Sequence, residues 1–146
     1  MISSLSIITV WVLDQDEARD FYTEKLGFVL HTDATTEDFR WLTVCPPEQP
    51  DLELTLCVPA PPMVDADTAA QIKALIAKGA ISGGVMRTKD CRRSYAELTA
   101  RGVEFVQEPQ EVFYGVDAAF RDNSGNLWRL VQPADDPSRE LPPGPS

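Results

Sequence analysis

Histidine is almost absent from this sequence: His31 is the only one among 146 residues. Catalytic zinc, iron and nickel centres commonly draw on two or three imidazoles. Such a centre cannot be assembled from one copy of this chain. Cysteine is scarce as well. Cys45, Cys57 and Cys91 are odd in number and form no Cys-x-x-Cys pair, which argues against a disulfide scaffold or a zinc ribbon and for a reducing cytoplasm. No apolar run approaches the ~20 residues that span a bilayer. The opening Met-Ile-Ser-Ser carries no basic segment ahead of an apolar one, so no secretory leader is expected. Cations are few: 13 Lys+Arg stand against 23 Asp+Glu, a formal net charge of −10. Such a chain repels polyanions, so neither nucleic acid nor an anionic membrane is an expected partner. Cationic ligands would be concentrated near it, although acidity also serves solubility alone.

What is present is a hydrophobic content of 43%, enough to bury a sizeable core in one domain or in two small modules sharing one. Residues 7–12, Ile-Ile-Thr-Val-Trp-Val, are β-branched and aromatic and predict a strand. Asp14 or Asp16 then offers a helix cap, Ala18, Phe21, Tyr22 and Leu26 recur on one helical face, and Gly27 stops the helix. Residues 28–31, 39–44 and 52–58 predict three strands, the last with Leu52, Leu54 and Leu56 alternating with Glu53, Thr55 and Cys57. The order then repeats: a strand over 81–88, a helix capped by Asp90 and closed by Gly102, and strands over 103–106, 116–121 and 127–131. The turn Asp-Asn-Ser-Gly-Asn joins the last two strands.

A repeat of about 75 residues in only two copies is no solenoid. It predicts a duplicated βαβββ module and an α+β fold. The expected organisation is a first module over 1–59, a helical linker over 60–80, a second module over 81–133, and a proline-rich, mobile or surface-draped tail over 134–146.

Two stretches carry a likeness. Val-Leu-Asp-Gln-Asp-Glu-Ala-Arg-Asp-Phe-Tyr-Thr-Glu-Lys-Leu-Gly-Phe, residues 12–28, resembles the strand–helix opening of the vicinal oxygen chelate superfamily of glyoxalase, bleomycin-resistance and dioxygenase proteins. Phe-Arg-Asp-Asn-Ser-Gly-Asn-Leu-Trp-Arg-Leu-Val-Gln, residues 120–132, resembles its closing hairpin. The resemblance implies two modules, each curling its sheet around a cleft with its helix on the convex side. Strand parity then sends Ile8, Val10, Val12, Trp128 and Leu130 toward the helices, and Ile7, Thr9, Trp11, Leu127, Arg129 and Val131 toward the cleft. It also implies where metal-dependent members place their ligands: positions that Ile7, Gly83 and Arg129 occupy in this chain, with Glu53 as a further carboxylate. Ile7 has no lone pair, Gly83 no side chain, and Arg129 a fixed positive charge. Neither a metal nor any other cofactor is therefore expected.

The candidate ligand contacts are Thr9, Trp11, Trp41, Glu53, Thr55, Arg87, Tyr114 and Arg129. Arg129 either grips an anionic group or pairs with Glu53 or another acidic neighbour across the sheet. Trp11 and Trp41 either stack a flat ligand or pack in the core. Tyr114, in the loop before a strand, is placed by the resemblance at the cleft mouth. Cys57 reads as an inert buried thiol, and His31 as a strand-end residue near solvent. No residue is assigned a catalytic role.

Three functions compete. The first is a non-catalytic small-molecule binder, resembling the antibiotic-sequestering bleomycin-resistance branch. The second is a glyoxalase-like lyase or dioxygenase whose metal has moved to other residues. The third is a partner-binding module with a vestigial cleft. The binder is preferred, with a cytoplasmic location, a small-molecule ligand and a homodimer expected.

Overall fold

The computed structural model describes residues 1–135; the expected proline-rich tail lies outside them apart from Ala134 and Asp135. The described residues divide into two compact units, one made of Met1–Ile81 with Asp122–Asn126, the other of Ser82–Arg121 with residues 127–135.

The first unit contains a four-stranded sheet of β1 (Ile7–Trp11), β2 (Val29–Thr35), β3 (Arg40–Cys45) and β4 (Glu53–Cys57). Its order is β1-β4-β3-β2, with β1 parallel to β4 and the other pairs antiparallel. Alternation along the strands sorts the side chains. Val10, Val12, Leu42, Val44, Leu54 and Leu56 are buried beside Ala18, Phe21 and Tyr22 of the intervening helical segment in the hydrophobic core. That segment opens as α1 (Gln15–Asp20), capped by Asp14, whose carboxylate accepts from the Glu17 amide. The sequence predicts one uninterrupted helix to Leu26. Instead the backbone widens into a π-helical turn over Phe21–Lys25, where the Leu26 amide donates to the Phe21 carbonyl at 3.1 Å. The wider turn accompanies burial of the consecutive Phe21 and Tyr22. Gly27 then takes the left-handed conformation, φ 77°, that ends the segment. The helix α2 (Ala66–Ala77), capped by Asp65, completes the unit and buries Ala69 and Ile76.

The Asp122–Asn126 turn is also part of this unit. One oxygen of Asp122 accepts the amides of Ser124, Gly125 and Asn126, each at 2.9 Å; the other accepts from the Tyr22 hydroxyl at 2.7 Å and the Asn126 amide at 2.8 Å. Asn126 Nδ2 also donates to the Trp11 carbonyl at 2.8 Å, and the Leu13 amide donates to Ser124 Oγ at 2.9 Å.

The second unit repeats the plan. Its sheet comprises β5 (Ser82–Arg87), β6 (Glu104–Val112), β7 (Gly115–Arg121) and β8 (Leu127–Pro133) in the order β5-β8-β7-β6, with β5 parallel to β8. The helix α3 (Cys91–Ala100), capped by Asp90, contributes buried Cys91 to the core. Phe105 bridges the rings of Tyr95 and Phe120, with centroids 4.7 and 5.5 Å away. Trp128 and Leu130 are buried while their neighbours Leu127, Arg129 and Val131 are half-exposed. The architecture is the expected α+β fold of two four-stranded mixed sheets. Strand β6 runs past the predicted 103–106 to Val112, because its pairing with β7 continues through irregularities on either side of Gln107.

Candidate functional site

The face of the first sheet opposite its buried leucines and valines carries five of the candidate contacts. Register aligns Ile7 with Glu53, Thr9 with Thr55 and Trp11 with Cys57. Thr43 lies opposite Thr55, and Thr32 opposite Thr43, so four threonines form one row across the sheet. Thr9 is exposed and Trp11 half-buried, whereas Thr43 and Thr55 are buried. Trp41 is 48% exposed and meets Phe39 edge-to-face at 4.8 Å, so it is not a core tryptophan.

Glu53 is held from two sides. Thr43 Oγ1 donates to Glu53 Oε1 at 2.8 Å, and His31 Nδ1 lies 2.8 Å from the same oxygen. His31 is not at a strand end, as its sequence position suggests. It sits inside β2 at an irregularity between Leu30 and Thr32, and this places Nδ1 on Glu53. Nearby, a pocket of about 140 Å³ is lined by Gln15, Phe39, Arg40, Cys57, Val58 and Pro61, among others. That is below the ~300 Å³ of ordinary ligand sites. Its Arg40 is engaged by Asp33 and Asp16 at 2.7–3.0 Å, contacts that hold the Asp33 carboxyl below the usual range. Burial pushes the Cys57 thiol up, away from the nucleophilic thiolate.

In the second unit Arg129 pairs with Asp117, not with Glu53. Arg129 Nε donates to Asp117 Oδ1 at 3.1 Å, Nη2 donates to Asp117 Oδ2, and Nη2 also donates to Gln107 Oε1 at 2.8 Å. The Tyr114 hydroxyl donates to Asp117 Oδ2 at 3.3 Å. Asp117 is 3% exposed, so its charge must be compensated inside the protein, and Arg129 supplies the compensation. Asp117 in turn pushes the Arg129 guanidinium further into its protonated range. Burial, reinforced by Asp117, pushes the Tyr114 phenol up. Arg87, at the end of β5, is exposed. Neither Asp117 nor Gln107 stands out in the sequence reading. The available signal was an acid within Val-Asp-Ala-Ala-Phe, an otherwise apolar strand.

The positions implied for metal ligands do not fit a divalent cation. Ile7 and Arg129 bring no donor. A Cβ on Gly83 would lie 2.3 Å from the Trp128 ring, so no coordinating side chain fits there on this backbone. Among the described residues, no three His, Cys, Asp or Glu side chains converge in a metal-binding group. No helix among them is long and apolar enough to cross a membrane.

A family model described as the Glyoxalase/Bleomycin resistance protein/Dioxygenase superfamily matches residues 4–130. The crystal structure of UcmS2 is 46% identical, with a TM-score of 0.86, over 90% of this chain and 99% of that one. TnmS3, an antibiotic binding protein from Streptomyces sp. CB03234, is 34% identical with a TM-score of 0.73, over 91% and 98% of the two chains. An uncharacterized protein of Shewanella frigidimarina (strain NCIMB 400) is 36% identical over 138 residues, 90% of this chain and 95% of its own.

Proposed function

The chain belongs to the Glyoxalase/Bleomycin resistance protein/Dioxygenase superfamily, and from that premise we propose that it is a small-molecule binding protein that sequesters its ligand, an antibiotic in the simplest case, without turning it over. The observation that carries this reading is the chemistry at Ile7, Gly83 and Arg129. One residue is aliphatic, one is backed directly by an indole ring, and one is a cation already paired with Asp117. Lewis-acid chemistry of the family type needs lone-pair donors at these places. Recognition by ring faces and fixed charge does not. The likeness to TnmS3 supports the same reading.

The contacts we assign are Thr9, Trp11, Trp41 and Glu53 in the first unit, with buried Thr55 beside Thr9 on the neighbouring strand, and Arg87, Tyr114 and Arg129 in the second. We further propose a cytoplasmic homodimer, since Ile7, Val29, Trp41 and Val85 are each at least 48% exposed in the single chain.

Equilibrium titration against cationic glycopeptide antibiotics and small aromatic carboxylates tests the reading, alongside metal analysis of protein purified without chelator. Saturable binding with no consumption of ligand is expected. Binding of no panel member, or stoichiometric zinc, iron or nickel, overturns it. Light scattering on the same sample is expected to give twice the chain mass.

A further inference from the structure

The charge of the chain is unevenly distributed. Among the described residues the first unit holds 5 Lys+Arg against 14 Asp+Glu. The second holds 7 of each and is neutral. Because screening confines electrostatic attraction to ~8–10 Å at physiological salt, the net charge of the whole chain does not decide what the second unit binds. The groups on its own sheet face do.

That face is defined by register. Arg129 lies beside Val85, and Arg87 beside Val131, in the parallel pair of β5 and β8. Val131 lies opposite Asp117 in the antiparallel pair of β7 and β8. Directly paired residues share a face. Arg87, Arg129, Val85, Val131 and Asp117 therefore lie together on the side opposite buried Trp128 and Leu130. Asp117 is buried and committed to Arg129 and Tyr114. Its charge cancels one arginine and leaves the other. The Arg87 side chain is exposed and makes no hydrogen bond or ion pair with any described residue, its backbone being paired with Val131 in the sheet. Arg129 Nη1 donates to no described residue, while Nε and Nη2 are locked by Asp117 and Gln107. A guanidinium fixed from behind by two partners, with one N–H edge left over, is oriented in advance for an acceptor. Val85 beside it is 66% exposed and offers an apolar seat.

We propose that Arg87 and the Nη1 edge of Arg129 form an anion subsite on the second sheet that takes the carboxylate of a small amphipathic acid, with Val85 and Val131 under its apolar body. This rests on the small-molecule reading above and names the ligand's chemical class. The acidity of the chain, taken as a whole, points toward cations; the second unit on its own points the other way.

The test uses 1-naphthoate and 1-naphthamide, matched in shape and differing in charge, titrated calorimetrically into the full chain. Charge-assisted hydrogen bonds to two guanidinia predict naphthoate affinity about tenfold or more above that of the amide. Arg87→Gln is expected to remove most of that difference, weakening naphthoate far more than the amide. Arg92→Gln, on α3 and paired with Glu111 at 3.8 Å, controls for general charge loss and is expected to change neither. Higher salt should weaken naphthoate alone. Equal affinity for acid and amide, an equal loss in Arg92→Gln, or no binding of either compound at millimolar concentration overturns the anion subsite. The binder reading is decided separately, by the wider panel and the metal analysis.

Discussion

Five hydrogen bonds converge on the carboxylate of Asp122, three from its own turn and two from side chains, one of them the fully buried Tyr22. Tyr22→Phe removes the hydroxyl donor without changing the ring, and the remaining partners still satisfy Asp122. It should lower unfolding free energy by about 1 kcal/mol. Asp122→Ala instead removes at once the carboxylate that the Tyr22 hydroxyl, the Asn126 side chain and three backbone N–H groups share, leaving the Ser124 and Asn126 backbone N–H groups without it, and should cost about 3 kcal/mol or more. Urea denaturation of the two variants measures both. Equal losses would mean that Tyr22, and not the turn, sets the energetics. Arg129 has a comparable structural task, since it balances buried Asp117. Its substitution would therefore confuse binding with folding, and Arg87 is the cleaner probe of recognition.

At the level of single elements, β5 is shaped by what lies under it. The first Cβ atom at Gly83 would enter the Trp128 ring, so Gly83→Ala must push strand or indole aside. A loss of about 2 kcal/mol is expected from such overpacking, read as a lower urea midpoint with a shift in tryptophan emission. Unchanged emission and stability would show that β5 relaxes freely, and would reopen position 83 to larger side chains. Much of this layer was legible in the sequence. Strand alternation separated Val10 and Val12 from Thr9 and Trp11, and Asp14, Asp90, Gly27 and Gly102 marked the helix ends. Those signals are local: a period, a cap, a stop. The π-helical turn after α1 was not legible, because it accompanies the burial of both Phe21 and Tyr22, a tertiary demand. The Arg129–Asp117 and His31–Glu53 pairs were hidden for a similar reason. Both depend on cross-strand register, and the second also on the irregularity in β2, which a composition or a spacing does not encode.

For the molecule as a whole, the concentration of 14 acidic against 5 basic residues in one unit implies self-repulsion there. Added sodium chloride should screen it, so thermal midpoints should rise between low and physiological ionic strength. Because the second unit is balanced, variants that neutralise acids in the first, such as Glu37→Gln, should flatten this salt dependence. Glu104→Gln in the second should not. A melting series in salt distinguishes the two, and a flat wild-type profile would dismiss the repulsion.

The placement of Asp122–Asn126 also has a temporal side. A nascent polypeptide released only as far as Ile81 lacks the acceptor for Tyr22 and the donor for the Trp11 carbonyl. The ribosome must deliver residue 126 before the opening half of the protein can finish closing, so synthesis order and order of completion part company.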